Sequence, residues 1–311
     1  MLVRSRSQTM ARMGCTGQYN RHWDVYNARL VERGSELLDF SWVSDHEDEI
    51  GGMNDGKRGR PFTYGNKLMA AVCRFRASSG MTYRILEGFL RPIFEMLGVV
   101  VPSYPTLWRR CSAMEVSAGV HADTRERTVA ADSTGIKVTV RGQWMREKWK
   151  IHKGWLKLHI LTDVHTNEIL SFTVTDERSG DAGHLLGMVD EAMATGHRIT
   201  KVLADGAYDA KFIWNGLKER DIEFITNIRK NVSENSRGCL IRRMLADERA
   251  VIGEDAWKEK HGYRMRWKVE SAISDYKRMF GESVSSKIFE NMVNEIGQNI
   301  ECFNMMKRAT V

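Results

Sequence analysis

Three carboxylates in this sequence stand where a packed protein gains nothing from an unpaired acid. Asp132 interrupts the apolar, strand-forming run Val129-Ala130-Ala131-Asp132-Ser133-Thr134-Gly135-Ile136-Lys137-Val138. Asp205 closes the short apolar run Lys201-Val202-Leu203-Ala204 and precedes Gly206. Glu270 lies in an amphipathic stretch near the C-terminal end. Burying a lone carboxylate is costly unless it is paired or bound to metal. Alone, each has an ordinary use. Asp132 can cap the Ser133-Thr134-Gly135 turn, Asp205 can be a turn residue, and Glu270 can pair with Arg266 on a solvated helix. Together they match one chemistry, because three converging carboxylates hold two hard divalent ions such as Mg²⁺ or Mn²⁺. Two such ions, about 3.5–4 Å apart, activate the attacking oxygen and stabilise the leaving one in phosphodiester displacement. Without metal the acids repel, and at least one tends to take up a proton.

Around Glu270 the spacing is specific. Tyr263, Arg266, Glu270 and Lys277, wound at about 100° per residue, fall within an arc of roughly 60°. Met265, Val269, Ala272, Ile273, Tyr276 and Phe280 fill a neighbouring arc of roughly 100°, wide enough to seat the helix on a core. One carboxylate then shares a face with two cations and a phenol.

The elements that must position these groups follow in chain order. Residues 1–20 read as a basic tail, and Trp23–Phe40 as a helix with Trp23, Tyr26, Leu30, Leu37 and Leu38 at helical spacing. The acidic run Asp45–Glu49 and the glycine-rich Gly51–Gly56 read as a linker. Lys57-Arg58-Gly59-Arg60-Pro61 is either a basic linker or an extended arm whose Arg58 and Arg60 enter an A·T minor groove. Helices are predicted over Gly65–Ser78 and Tyr83–Leu97, the second capped by Thr82 and kinked or split at Pro92, and from near Thr106. That order suits a helix-turn-helix unit. From Thr128 onward the pattern is strand, strand, strand, helix, strand, helix, strand, then a polar connector to about Lys260 and two helices. It predicts a mixed α/β sheet with helices on both faces.

Net charge is +7 with an isoelectric point near 9.1. Between Lys57 and Arg110 stand ten Lys/Arg against two acids, +8, so the remainder sums to −1. A basic segment of this kind suits a polyanion, since phosphate neutralisation supplies most non-specific affinity. Between Arg141 and Lys157 the tryptophans Trp144, Trp149 and Trp155 are interleaved with basic side chains. Trp144 is expected to be the exposed one, able to stack on an unpaired base, with Trp149 and Trp155 either core or part of the same surface. The five cysteines are scattered without a CxxC pair, which predicts a reducing surrounding and no zinc module. No apolar run approaches the roughly 20 residues of a membrane span. The expected location is cytoplasmic, at the nucleoid.

The signature Tyr-x2-Arg-x3-Glu-x6-Lys, met by Tyr263, Arg266, Glu270 and Lys277, resembles that of one branch of the DDE transposases of bacterial and archaeal insertion sequences. The segments Ala131–Val138 and Leu203–Asp209 resemble the two aspartate motifs of that family. The resemblance implies a ribonuclease H-like catalytic fold over 121–311, preceded by a helical DNA-binding region over 57–120 and a tail, helix and acidic linker over 1–56. It implies Asp132, Asp205 and Glu270 as catalytic residues and ligands of two Mg²⁺ or Mn²⁺ ions, with Tyr263, Arg266 and Lys277 near the phosphates of the transposon ends. The implied partners are double-stranded DNA, as element end and target, and a second copy of the chain. The implied reaction is strand cleavage and strand transfer. A regulator or inactive copy that binds DNA without cutting is the alternative.

Overall fold

In a computed structural model, residues 23–37, 40–114, 118–119, 124–138, 155–228 and 239–308 are described. The amino-terminal part is helical: α1 (Trp23–Glu36), α2 (Trp42–Asn54), α3 (Asn66–Ser79), α4 (Tyr83–Met96) and α5 (Tyr104–Ala113). Leu68, Met69, Val72, Leu86, Leu90, Phe94 and Leu107 make its core, and Trp42 joins it by stacking on Phe94 with ring centroids 5.7 Å apart.

Three local expectations change here. The acidic run and the glycines after it belong to helix α2 and not to a linker. The acids have a use, because Glu49 accepts from the N–H groups of Asn66 (2.9 Å) and Lys67 (3.1 Å) at the start of α3, and Asp45 pairs with Lys67 at 2.6 Å. A carboxylate at a helix N-terminus satisfies orphan donors and meets the positive end of the dipole. Pro92 neither splits nor ends α4; Pro92 and Gly88, whose carbonyl loses its partner, are both exposed, so water can serve that carbonyl. Cys73 on α3 and Cys111 on α5, with Cα atoms 6.1 Å apart, form a disulfide, against the reducing surrounding expected from the scattered cysteines, because the fold brings together residues far apart in sequence.

The rest is built on a sheet of order β3-β2-β1-β4-β5. Its strands are β1 (Glu126–Val138), β2 (Trp155–Asp163), β3 (Ile169–Asp176), β4 (Arg198–Ala204) and β5 (Glu223–Thr226), with β6 (Ser283–Val284) paired to the end of β1. β2 runs antiparallel to β1 and β3, whereas β4 is parallel to β1 and β5. One face carries α6 (Leu185–Ala194) and α7 (Lys211–Glu219), through Leu185, Met188, Ile213 and Leu217. The other face carries α10 (Trp267–Phe280) and α11 (Phe289–Arg308), through Val269, Ala272, Tyr276, Met292, Ile296 and Phe303. Between these pairs the expected polar connector contains two further helices, α8 (Leu240–Ile252) and α9 (Glu254–Lys260), the latter held by the buried Trp257. The architecture is α/β: a ribonuclease H-like mixed sheet flanked by helices, with a helical region before it. Among the described residues no helix is long and apolar enough to cross a membrane.

Candidate active site

Side chains alternate across a strand, and this alternation decides where the acids point. On β1, Val129 and Ala131 pack toward α6 and α7, while Ala130 packs toward α10. Asp132 has the parity of Ala130 and faces α10. On β4, Val202 and Ala204 take the first face and Leu203 the second, so Asp205 also lies on the α10 side. The parallel register pairs Ala130 with Leu203. Two residues further along both strands stand Asp132, midway along β1, and Asp205, just past the end of β4, side by side. Gly206 makes this packing possible, since a Cβ there would lie 2.9 Å from the Asn227 carbonyl oxygen.

Each aspartate has one oxygen engaged by a nearby backbone N–H. Asp132 Oδ1 accepts from Ser133 N at 2.8 Å, and Asp205 Oδ1 from Ala207 N at 2.8 Å. The turn role open to Asp205 from sequence is therefore real, whereas Ser133-Thr134-Gly135 continue strand β1 and leave Asp132 no turn to cap. Asp132 titrates above its ordinary range, chiefly because burial disfavours its charge; Arg266 and the Ser133 N–H oppose the rise, and Asp205 and Glu270 add to it. Asp132 thus feels the charge of both other acids.

The signature residues do not lie on one continuous helix. Tyr263–Arg266 form a 3₁₀ turn, and α10 begins at Trp267. Residues three apart eclipse in a 3₁₀ turn, so Tyr263 and Arg266 still share a side. Tyr263 is buried against Trp257, and its oxygen takes hydrogen bonds from the Asn227 backbone and from Arg266. Arg266 also donates to Glu270 and lies 3.8 Å from Asp132 Oδ2. One guanidinium, anchored by the phenol, therefore reaches two of the three acids. Lys277 is partly exposed near the other end of α10, where its charge acts on Glu282. Arg58 and Arg60 are exposed ahead of α3 and apart from this cluster in the chain. Trp144 lies outside the described residues.

Open clefts flank the acids. One of about 840 Å³ is lined by Asp205, Asn227, Arg249 and Glu254. The other, of about 650 Å³, is lined by Ser133, Gly135, Trp155, Lys157 and Arg178. Among the described residues no His, Cys, Asp and Glu side chains are already drawn together closely enough to cage a cation; Glu270 is instead folded back onto Arg266. The donor set itself fits Mg²⁺ or Mn²⁺, being entirely carboxylate oxygen with two members on adjacent strands.

A consequence for stability follows. A carboxyl whose folded pKa is raised destabilises the fold when ionised, fully at pH above its folded pKa and not at all below its unfolded value of about 3.9. Asp132→Asn is expected to raise the thermal midpoint of the metal-free protein at neutral pH, with the gain fading as pH falls toward about 4 and gone below it. Equal midpoints for the two proteins across a pH series would remove the repulsion argument.

This sheet order, with one acid within β1, one just past the end of β4 and a third on the helix packed across them, defines a ribonuclease H-like α/β protein. Residues 123–305 match the family model described as "Transposase DDE domain", and residues 31–141 match a second model of the same description. The chain belongs to the DDE transposase family, and its enzyme class is that of the transposases. Among solved structures it is similar to the piggyBac transposase synaptic complex with hairpin DNA, at 11% identity and TM-score 0.42 over 91% of this chain and 75% of that chain. It is also similar to the Drosophila P element transposase strand transfer complex, at 10% identity and TM-score 0.33 over 87% of this chain and 71% of that one.

Proposed function

We propose that this chain binds the terminal inverted repeats of its own mobile element, cuts a DNA strand at each end, and joins the freed 3′-hydroxyl to target DNA. What carries the reading is the register that sets Asp132 beside Asp205 on the face crossed by α10, with Arg266 reaching both Asp132 and Glu270. Asp132, Asp205 and Glu270 would hold two divalent ions, which supply activation of the attacking oxygen and charge stabilisation of the leaving one. The chain's own groups do the rest. Arg266 and Lys277 offset charge on the scissile phosphate and keep attacking and leaving oxygens in line. Tyr263, being buried, acts on that phosphate by holding Arg266 in place rather than by touching DNA.

In the first step a water oxygen attacks phosphorus and the strand's 3′-oxygen leaves. In the second, that 3′-hydroxyl attacks a target phosphodiester, so one site serves both. The helical region, taken as 57–120, supplies end binding through its basic surface, with Arg58 and Arg60 in the minor groove. Trp144 would stack on a base left unpaired at the distorted end. The catalytic unit is taken as 121–311, the remaining 1–56 as an accessory segment, and pairing two ends calls for a dimer. Action on chromosomal DNA places the protein in the cytoplasm at the nucleoid.

The test is incubation of the full chain with a duplex carrying the element's inverted repeat and a target plasmid, in Mg²⁺, Mn²⁺, Ca²⁺ or EDTA. Nicking at the repeat's end and joined products are expected in Mg²⁺ or Mn²⁺ alone. Binding without cutting under every condition would make the chain a DNA-binding regulator.

A further inference from the structure

Behind the aspartate pair sits a group that the mechanism above does not use. Tyr208 is 1% exposed, and its hydroxyl has no hydrogen-bond partner among the described residues. A buried donor left unmade costs about 1–3 kcal/mol, so its persistence calls for a purpose. Tyr208 closes the 3₁₀ turn Gly206–Tyr208, whose first N–H groups are capped by Asp205. Burial first, and then the charges of Asp181, Asp132 and Asp205 that reach its phenol, keep it protonated. It is therefore a neutral donor set among carboxylates and committed to none of them.

Asp181 begins a second 3₁₀ turn, Asp181–His184, which packs against the turn holding Tyr208. Lys157 Nζ lies 2.8 Å from Asp181 Oδ1, and Asp181 also receives a hydrogen bond from the Ser133 hydroxyl. Ser133 in turn holds Asp132 through its backbone N–H. A chain of contacts thus runs from Lys157 through Asp181 and Ser133 to Asp132, while Tyr208 is tied by its backbone to Asp205.

We propose that Tyr208 and Asp181 are positioning residues for the aspartate pair: the Tyr208 hydroxyl donates to a carboxylate oxygen of Asp132 or Asp205 when the pair holds cations, and Asp181 fixes the strand segment that carries Asp132. The physical reason is that a carboxylate ligating a metal needs its second oxygen oriented from behind, and such outer partners are worth 10–100-fold in metal affinity. Asp132 and Asp205 each have a backbone N–H on one oxygen, and Tyr208 supplies the further donor from the buried side. The proposal rests on the triad reading given above.

The experiment is calorimetric titration of Mn²⁺ into the full chain without DNA, for wild type, Tyr208→Phe, Asp181→Asn and Asp132→Ala, with the thermal midpoint of each. Tyr208→Phe keeps the ring and removes the hydroxyl. It is expected to bind Mn²⁺ roughly 10–100-fold more weakly, to bind end DNA in EDTA as wild type does, and to regain cleavage as Mn²⁺ is raised. Asp181→Asn should move the same way, and it decides the matter if Tyr208→Phe does not fold. Unchanged Mn²⁺ affinity in both variants, with affinity lost in Asp132→Ala, overturns the positioning roles and leaves the triad standing. A lowered thermal midpoint with unchanged affinity overturns them equally, since that is the mark of a structural role alone. Identical Mn²⁺ binding by wild type and Asp132→Ala overturns the triad reading and this proposal with it.

Discussion

Alanine at Asp132, Asp205 or Glu270 is expected to abolish strand cleavage while leaving the protein folded and bound to end DNA. The metal contribution to a phosphoryl-transfer transition state is several kcal/mol, and each 1.36 kcal/mol is tenfold in rate. Loss of one ligand should therefore cost roughly a thousand-fold or more, at or below the detection limit of a gel assay. Folding should survive, because none of the three acids is fully buried and the apolar contacts of Val129, Ala131, Leu203 and Val269 are untouched. Binding should survive, since removing a carboxylate beside DNA phosphates removes repulsion. The three variants will differ in one respect. Glu270→Ala releases Arg266 from its ion pair, whereas Asp132→Ala leaves that pair intact. Cleavage and band-shift assays on the same preparations check this directly. Variants that cut normally, or that all lose end binding, would count against ligand roles for these residues.

The largest effect on stability is expected outside the site. Arg127 and Asp163 are each 2% exposed, and Arg127 NH1 lies 2.5 Å from Asp163 Oδ2. Asp163 Oδ1 also accepts from His165 N at 2.7 Å, closing the turn between β2 and β3. Asp163→Ala removes the nearer carboxylate from a buried guanidinium whose next acid, Glu168, is 4.0 Å away. Breaking a buried pair from one side costs about 3–5 kcal/mol, a large part of a typical 5–15 kcal/mol stability. Urea unfolding should show a free energy of unfolding lowered by that amount, and cleavage should be lost through unfolding because Arg127 lies on the strand that carries Asp132. The double variant Arg127→Met with Asp163→Leu should recover much of the loss, since apolar replacement of a buried ion pair is often neutral or better. A drop below about 1 kcal/mol in the single variant would sink the argument, as that is the value of an exposed pair.

The sequence by itself determined most of the elements and singled out the three acids as candidates. β1 is legible because its run from Val129 to Val138 is apolar and strand-forming, and α10 because Val269, Ala272 and Tyr276 recur at helical period and are buried. Such patterns depend on neighbours along the chain, so they survive without a tertiary context. The same local reading missed α2, because acids and glycines look like a linker until Glu49 is seen capping α3. It missed α8 and α9, because Arg242 pairs with the distant Asp209 and Trp257 is buried in the core built on the sheet.

Only the tertiary structure decided that Asp132 and Asp205 share a face and a register, that Tyr263 is turned inward to hold Arg266, and that Cys73 meets Cys111. It alone revealed Tyr208 and Asp181, whose residue types are unremarkable where they stand in the chain. The reason is physical. Pairing between distant strands is fixed by burial of both sheet faces at once, and no window of consecutive residues contains that constraint.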